Sequence, residues 1–154
     1  MWYHKRHMDI LVKHFNELTN KELYEIMKLR SEVFVVEQNC VCLDMDGIDC
    51  RSWHIFIMDD GQCTACLRCF IDEQDNDLAH IGRVVTRSHG KGQGGLILQK
   101  GIDFCLEHYG AGRIYLEAQC YCLGYYEKYG FRVISDEIMV DGIPHKKMLY
   151  TKET

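Results

Sequence analysis

A β-branched segment, Val84-Val85-Thr86, runs into Arg87-Ser88-His89-Gly90-Lys91-Gly92-Gln93-Gly94-Gly95, with four glycines within six residues. An apolar-periodic stretch follows at once through Leu96, Ile97, Leu98, Ile102, Cys105, Leu106 and Tyr109. Glycines between a strand and a helix let bare backbone N–H groups converge on one point. The helix behind them adds the positive end of its dipole. Such a turn suits a phosphate or pyrophosphate. A Walker-type loop fails, because Gly92 follows Gly90-Lys91 where Ser or Thr is needed and position 85 is Val. Gly90, Gly92 and Gly95 match a dinucleotide fingerprint, with Glu117 where a ribose-binding acid belongs. That turn should begin directly after its strand, however, and Thr86-Arg87-Ser88-His89 intervene. Too little chain follows Gly95 to complete a doubly wound sheet.

A second constellation lies downstream: Gln119-x-x-Cys122-x-x-Tyr125-Tyr126-Glu127-Lys128-Tyr129-Gly130-Phe131. Its tyrosines are expected on a short helix. Gly130 can take the left-handed conformation that ends it, and Phe131 should open the next strand. The preceding strand reads Arg113 to Ala118. The order is strand, glycine loop, helix, strand, short helix, strand. With that order in view, His89-Gly90-Lys91-Gly92-Gln93-Gly94 resembles the Gln/Arg-x-x-Gly-x-Gly/Ala pyrophosphate loop of GNAT N-acetyltransferases, with His in the first position. The tyrosine segment resembles the Asn-x-x-Ala-x-x-Phe-Tyr-x-x-x-Gly-Phe segment of the same superfamily, with Gln119 for Asn. Leu29 to Cys40, Asp44 to Asp49, Ile81 to Val84 and Asp141 to His145 are similar to an ElaA-like branch of it. The resemblance covers roughly residues 9–150.

The resemblance implies a mixed α/β (α+β) fold: one mostly antiparallel central sheet, splayed between its fourth and fifth strands, with helices on both faces. It implies acetyl-CoA as co-substrate, lying in that gap. Val84 and Val85 would offer a strand edge to the amide-like pantetheine arm, and Gly90, Gly92, Gln93, Gly94 and Gly95 would take the pyrophosphate. His89, Lys91 and Gln119 would complete the cofactor site. Acetyl transfer to an amine needs one proton removed from the attacking ammonium and one delivered to the departing thiolate. Tyr126 matches the superfamily's thiolate-protonating tyrosine. Glu117 is the first choice of base and Glu37 the second; a water chain ending on backbone would also serve. A cysteine-acyl route through Cys120 lacks a partner base. The expected reaction is direct attack by a primary amine, small-molecule or peptide, in a ternary complex. The alternative is an acyl-CoA-binding sensor or scaffold weak in catalysis; a nucleotide-binding module is a further class. The resemblance also admits a homodimer.

The elements that must position these groups follow from periodicity. A first strand is expected over about 9–15. Thr19-Asn20-Lys21-Glu22 is a capping box opening a helix with Leu23, Ile26, Met27, Arg30 and Phe34 on one face. Arg30 in that stripe reads either as a structural ion pair, with Glu37 or Asp46, or together with Glu37 as a wall of the acceptor site. Residues 53–58 and 64–71 make a hairpin. Asp72 to Asp77 is an acidic turn, expected to be solvated. Residues 79–85 lead into the glycine loop, and 145–151 are expected to close the sheet at its end.

At 154 residues, with 47% hydrophobic and 27% charged side chains, one core can bury about 70% of the unfolded surface, and a single domain over 1–154 is expected. The net charge of −5 argues against nucleic acid. The polar, basic start and the lack of a long apolar run argue against a secretory signal and a membrane span, so a cytoplasmic protein is expected. Nine cysteines raise metal or disulfide chemistry. Strand alternation over 63–71 would put Cys63 and Cys69 on one face and Cys66 on the other, unable to share an ion. Cys40-x-Cys42 and Cys120-x-Cys122 lack zinc-knuckle spacing. The expectation is no metal, no disulfide framework, and cysteines serving as small buried hydrophobes.

Overall fold

The structure, a computed structural model, describes residues 7–87 and 92–153. Strand β1, Met8–His14, leads through a short turn to helix α1, Asn20–Arg30. The capping box forms as expected: Glu22 N donates to Thr19 Oγ1 at 3.1 Å, and Thr19 N donates to Glu22 Oε1 at 2.9 Å. The helix then widens into a π-type turn over Ser31–Glu37. A long connection leads to β2, Trp53–Asp59, which forms a hairpin with β3, Gln62–Ile71. Next come β4, Leu78–Thr86, helix α2, Gln93–His108, and β5, Arg113–Gln119. A five-residue helix α3, Leu123–Glu127, precedes β6, Arg132–Val133, β7, Ile138–Val140, and β8, Ile143–Thr151. Gly130 ends that segment at φ +98°, as its position after the tyrosines implied; Tyr129 lies beyond α3.

The eight strands form one sheet in the order β1-β2-β3-β4-β5-β8-β6, with β7 also pairing to β8. All pairings are antiparallel except β4 with β5. Strand β8 therefore does not close the sheet at its edge, as expected from sequence, but lies inside it. Alternation along β2 separates two apolar layers. Ile55 and Ile57 face α2 through Leu67, Ile81, Ile97, Leu98 and Ile102. Phe56 faces α1 through Ile26, Leu29, Cys66 and Val85.

Two bulges break the alternation. Thr64 is an extra residue on β3, between the pairs Ile57–Ala65 and Met58–Cys63. It puts Cys63 on the α1 side with Cys66, while Cys69 packs on the α2 side. Simple alternation had paired Cys63 with Cys69, and the bulge corrects that. On β4, Arg83 and Val84 stand opposite the single residue Leu67, and Arg83 takes φ +50°. The acidic turn is not merely solvated: Asp72 Oδ2 accepts Gln74 N and Asp75 N, His80 Nε2 lies 2.8 Å from Asp72 Oδ1, and Asp75 pairs with Arg113. The start of β5 is thereby latched to β4.

Candidate active site

Strands β4 and β5 pair only at Leu78–Arg113, Ala79–Ile114 and His80–Tyr115. Beyond His80 they part, so the rest of β4 presents N–H and C=O groups to a cleft instead of to a neighbouring strand. The bulge at Arg83 and Val84 sits on this freed edge. Bulges re-aim backbone groups where they occur. The resulting cleft has a volume of about 610 Å³, and Gly82, Val84, Val85, Leu116, Glu117 and Gln119 line it.

One wall comes from α2 and α3. Gly92, the N-cap of α2, has φ +75°, a backbone state that favours glycine. A Cβ at Gly92 would meet nothing within 4 Å among the described residues. The N–H groups of Gln93, Gly94 and Gly95 begin the helix without intrahelical acceptors. Gly94 and Gly95 are glycines for a second reason, which motif matching does not show. A Cβ at Gly94 would stand 3.0 Å from Tyr125 Oη, and one at Gly95 2.2 Å from Tyr129 Oη. The aromatic segment packs onto the glycine turn, and the two motifs form one unit. Tyr126 lines the cleft beside Tyr125 and Cys122 and packs edge-on against Phe131. Burial, then the neighbouring Cys122, Tyr125 and Tyr121, push its hydroxyl well above the ordinary tyrosine range. It is therefore neutral and proton-bearing at physiological pH. His89, Gly90 and Lys91 lie outside the described residues.

The opposite wall comes from the π-type turn, the connection after it, and the β7–β8 turn. Val33, Phe34, Gln38, Cys40, Cys42, Asp44, Asp141 and His145 line it. Gln119 reaches this wall, accepting a 3.4 Å hydrogen bond from Gln38 Nε2. Glu117 is exposed in the cleft, and its Oε1 accepts from the Tyr115 hydroxyl at 2.9 Å. Glu37 is exposed at the end of the π-type turn and does not line the cleft. Arg30 is not there either. It is 1% exposed, with Nε 2.9 Å from Asp44 Oδ2 and Nη1 2.7 Å from Asp49 Oδ1. Its structural reading is correct, with Asp44 and Asp49 as partners in place of Glu37 or Asp46.

Those bonds belong to a larger network of three arginines and three aspartates. Arg68 forks onto Asp46 at 2.8 and 2.7 Å and reaches Asp49 at 3.1 Å. Arg83 Nε donates to Asp44 Oδ1 at 2.8 Å, and its Nη2 donates to the Asp44 carbonyl at 3.0 Å. The Arg68 hydrogen bonds hold the Asp46 carboxyl well below the usual range. Burial alone would raise Asp49, but Arg30 and Arg68 outweigh it and lower it. Asp44 thus ties α1 to the bulged residue of β4, fixing the floor of the cleft.

A family model described as an acetyltransferase (GNAT) domain matches residues 12–152. The chain belongs to the GNAT acetyltransferase family. Protein ElaA of Escherichia coli is 33% identical over 136 residues, covering 86% of this chain and 89% of ElaA. The crystal structure of Escherichia coli ElaA superposes with a TM-score of 0.87 at 30% identity, over 94% of this chain and 99% of that one. An acyl-CoA N-acyltransferase from Pseudomonas aeruginosa gives a TM-score of 0.86 at 35% identity, over 93% of this chain and 99% of that one. The chain is an acyltransferase of the ElaA-like branch.

As a GNAT protein it brings together Val84, Val85, Gly92, Gly94, Gly95, Glu117, Gln119 and Tyr126 around one cleft. It leaves out Arg30, Glu37 and Gln93, whose side-chain Nε2 lies 3.9 Å from Met8 Sδ. Sequence reading missed Phe34, Gln38, Asp44, Asp141 and His145. The Leu29–Cys40, Asp44–Asp49 and Asp141–His145 resemblances hinted at them, without a role. Among the described residues no helix is long and apolar enough to cross a membrane.

Proposed function

We propose that this GNAT enzyme moves an acetyl group from acetyl-CoA to a cationic primary amine by direct attack within a ternary complex. The observation that carries the reading is the parted β4–β5 edge, with a glycine helix start on one wall and the Glu117 and Asp141 carboxylates at the cleft. The fit to acetyl-CoA rests on three features: the left-handed Gly92 with Gly94 and Gly95 lining the cleft, the N–H groups of the first turn of α2 without intrahelical acceptors, and a strand edge that can take an amide-bearing arm as a ladder partner. Acetyl-CoA supplies an activated acyl group on a thiol leaving group.

The residues divide the remaining work. The N–H groups at the β4 bulge can stabilise negative charge on a carbonyl oxygen without reorganising, because Arg83 is held by Asp44. Tyr126, held protonated by burial, donates its proton to the departing thiolate. Glu117 accepts a proton from the incoming ammonium, directly or through one water, and the Tyr115 hydroxyl orients its carboxylate. With Arg83 committed to Asp44, Glu117 and Asp141 leave the acceptor wall negative, which favours an ammonium-bearing acceptor.

The test is a panel of mono-, di- and polyamines, amino acids and peptides with acetyl-CoA, read by thiol release. Cationic amines should turn over best. Glu117→Gln should lower kcat/KM by about 10²-fold. Saturable acetyl-CoA binding with no turnover on any amine would favour the sensor reading instead.

A further inference from the structure

The connection after the π-type turn is arranged against simple apolar burial. Val41 is 107% exposed and does not line the cleft, while Cys40, Cys42 and Asp44 on either side of it do; Leu43, also at the cleft, is itself 83% exposed. At the same point the β7–β8 turn delivers Asp141, a hundred and one residues from Cys40, whose Sγ lies 3.7 Å from the Asp141 carbonyl oxygen. The Sγ atoms of Cys40 and Cys42 and a carboxylate oxygen of Asp141 all lie within 4.8 Å of one another. Packing alone does not account for three such atoms meeting while the apolar Val41 beside them points to water.

We propose that Cys40, Cys42 and Asp141 form a site for a thiophilic divalent cation of the zinc class, with its remaining coordination position open to the cleft. Two thiolates and one carboxylate are a zinc donor set. Hard cations such as magnesium and calcium avoid sulfur. Zinc–sulfur bonds of about 2.3 Å in a tetrahedron place two sulfurs about 3.8 Å apart, so small side-chain movements complete the site. A bound divalent cation takes the place of the two thiol protons. Spacing missed the site because the third ligand comes from another part of the chain. On the reading that this wall receives the amine, a bound cation occupies the acceptor's path and leaves the glycine end untouched.

The full-length reduced protein is titrated anaerobically with Co²⁺ as an optical stand-in for zinc. One equivalent should bind with a sulfur-to-metal charge-transfer band, and Zn²⁺ should displace it. Cys40→Ser and Cys42→Ser should each weaken the band to about half, since each removes one of two thiolates. The double variant should abolish it. Asp141→Asn should keep the band and weaken binding on the order of tenfold or more. No band in the wild type, or an undiminished band in the double variant, overturns the site; the latter would move the metal to other cysteines such as Cys63 and Cys66. Backbone amide NMR gives a readout independent of any variant's folding. Zn²⁺ should shift Cys40, Cys42 and Asp141 together, and shifts confined elsewhere contradict the proposal. Stoichiometric Zn²⁺ should also raise the acceptor KM without changing acetyl-CoA affinity. A band without that kinetic effect would keep the metal site and remove the acceptor from this wall.

Discussion

Replacing Arg30 by Met tests whether this arginine holds the fold or the substrate. The change deletes the bonds of Arg30 to Asp44 at 2.9 Å and to Asp49 at 2.7 and 3.2 Å. It leaves three aspartates facing two arginines in a buried region. Breaking a buried ion pair from one side costs about 3–5 kcal/mol. Asp44 keeps Arg83 and Asp49 keeps Arg68, which argues for the lower end, about 3 kcal/mol. For a chain of this size that is a fall of about 6–12 °C in melting temperature. Urea unfolding should show a lower midpoint with an unchanged slope. Adding Asp49→Asn removes the surplus charge and should recover part of the loss. In the folded fraction the acceptor KM should stay near wild type. An Arg30→Met protein that melts within about 2 °C of wild type, under 1 kcal/mol at this size, yet has a greatly raised acceptor KM, would refute the structural role.

Tyr126→Phe keeps the ring and removes the proton donor, so kcat should fall by about 10²-fold with little change in acetyl-CoA Kd; a change within twofold would return Tyr126 to packing. Gly95→Ala places a methyl group against the Tyr129 hydroxyl and should weaken acetyl-CoA binding and stability. Tyr129→Phe should restore much of both, and failure to do so would separate the glycine turn from the aromatic segment. Stability should fall with acid in two stages. His54 is lowered from 6.5 chiefly by burial, so its contribution is full above pH 6.5 and declines as pH drops through its folded value. Asp46 and Asp49 are lowered from 3.8, so the network holds above that value and is lost below it. A melting temperature flat from pH 7 to pH 4 would contradict the first stage.

What the sequence made legible was local. Thr19 and Glu22 cap a helix wherever they sit, and Gly130 ends its segment through its own left-handed backbone, although its closeness to the Tyr150 ring, 3.0 Å from where a Cβ would stand, is tertiary. The glycine turn and the tyrosine segment were each recognisable, but their contact through Tyr125 and Tyr129 is tertiary. The splay of β4 from β5 came from the resemblance, since nothing in the alternation of either strand marks where pairing stops. The bulges at Thr64 and Arg83 carry no glycine, and Thr64 reversed the facing assigned to Cys63. Arg30 was visible as an oddity in an apolar stripe. Its partners Asp44 and Asp49 needed the fold of the connection to find it. Cys40, Cys42 and Asp141 meet only once β7 and β8 turn back over that connection.

The central claim is that acetyl-CoA lies between β4 and β5 with its pyrophosphate on the start of α2. Backbone amide NMR of the labelled chain during an acetyl-CoA titration tests it most directly. Saturable one-site binding is expected, with the largest shifts at Val84, Val85, Gly92, Gly94 and Gly95. Binding whose shifts gather instead in the groove of Val12, Leu96, Lys100 and Phe104, or no binding at all, would contradict it.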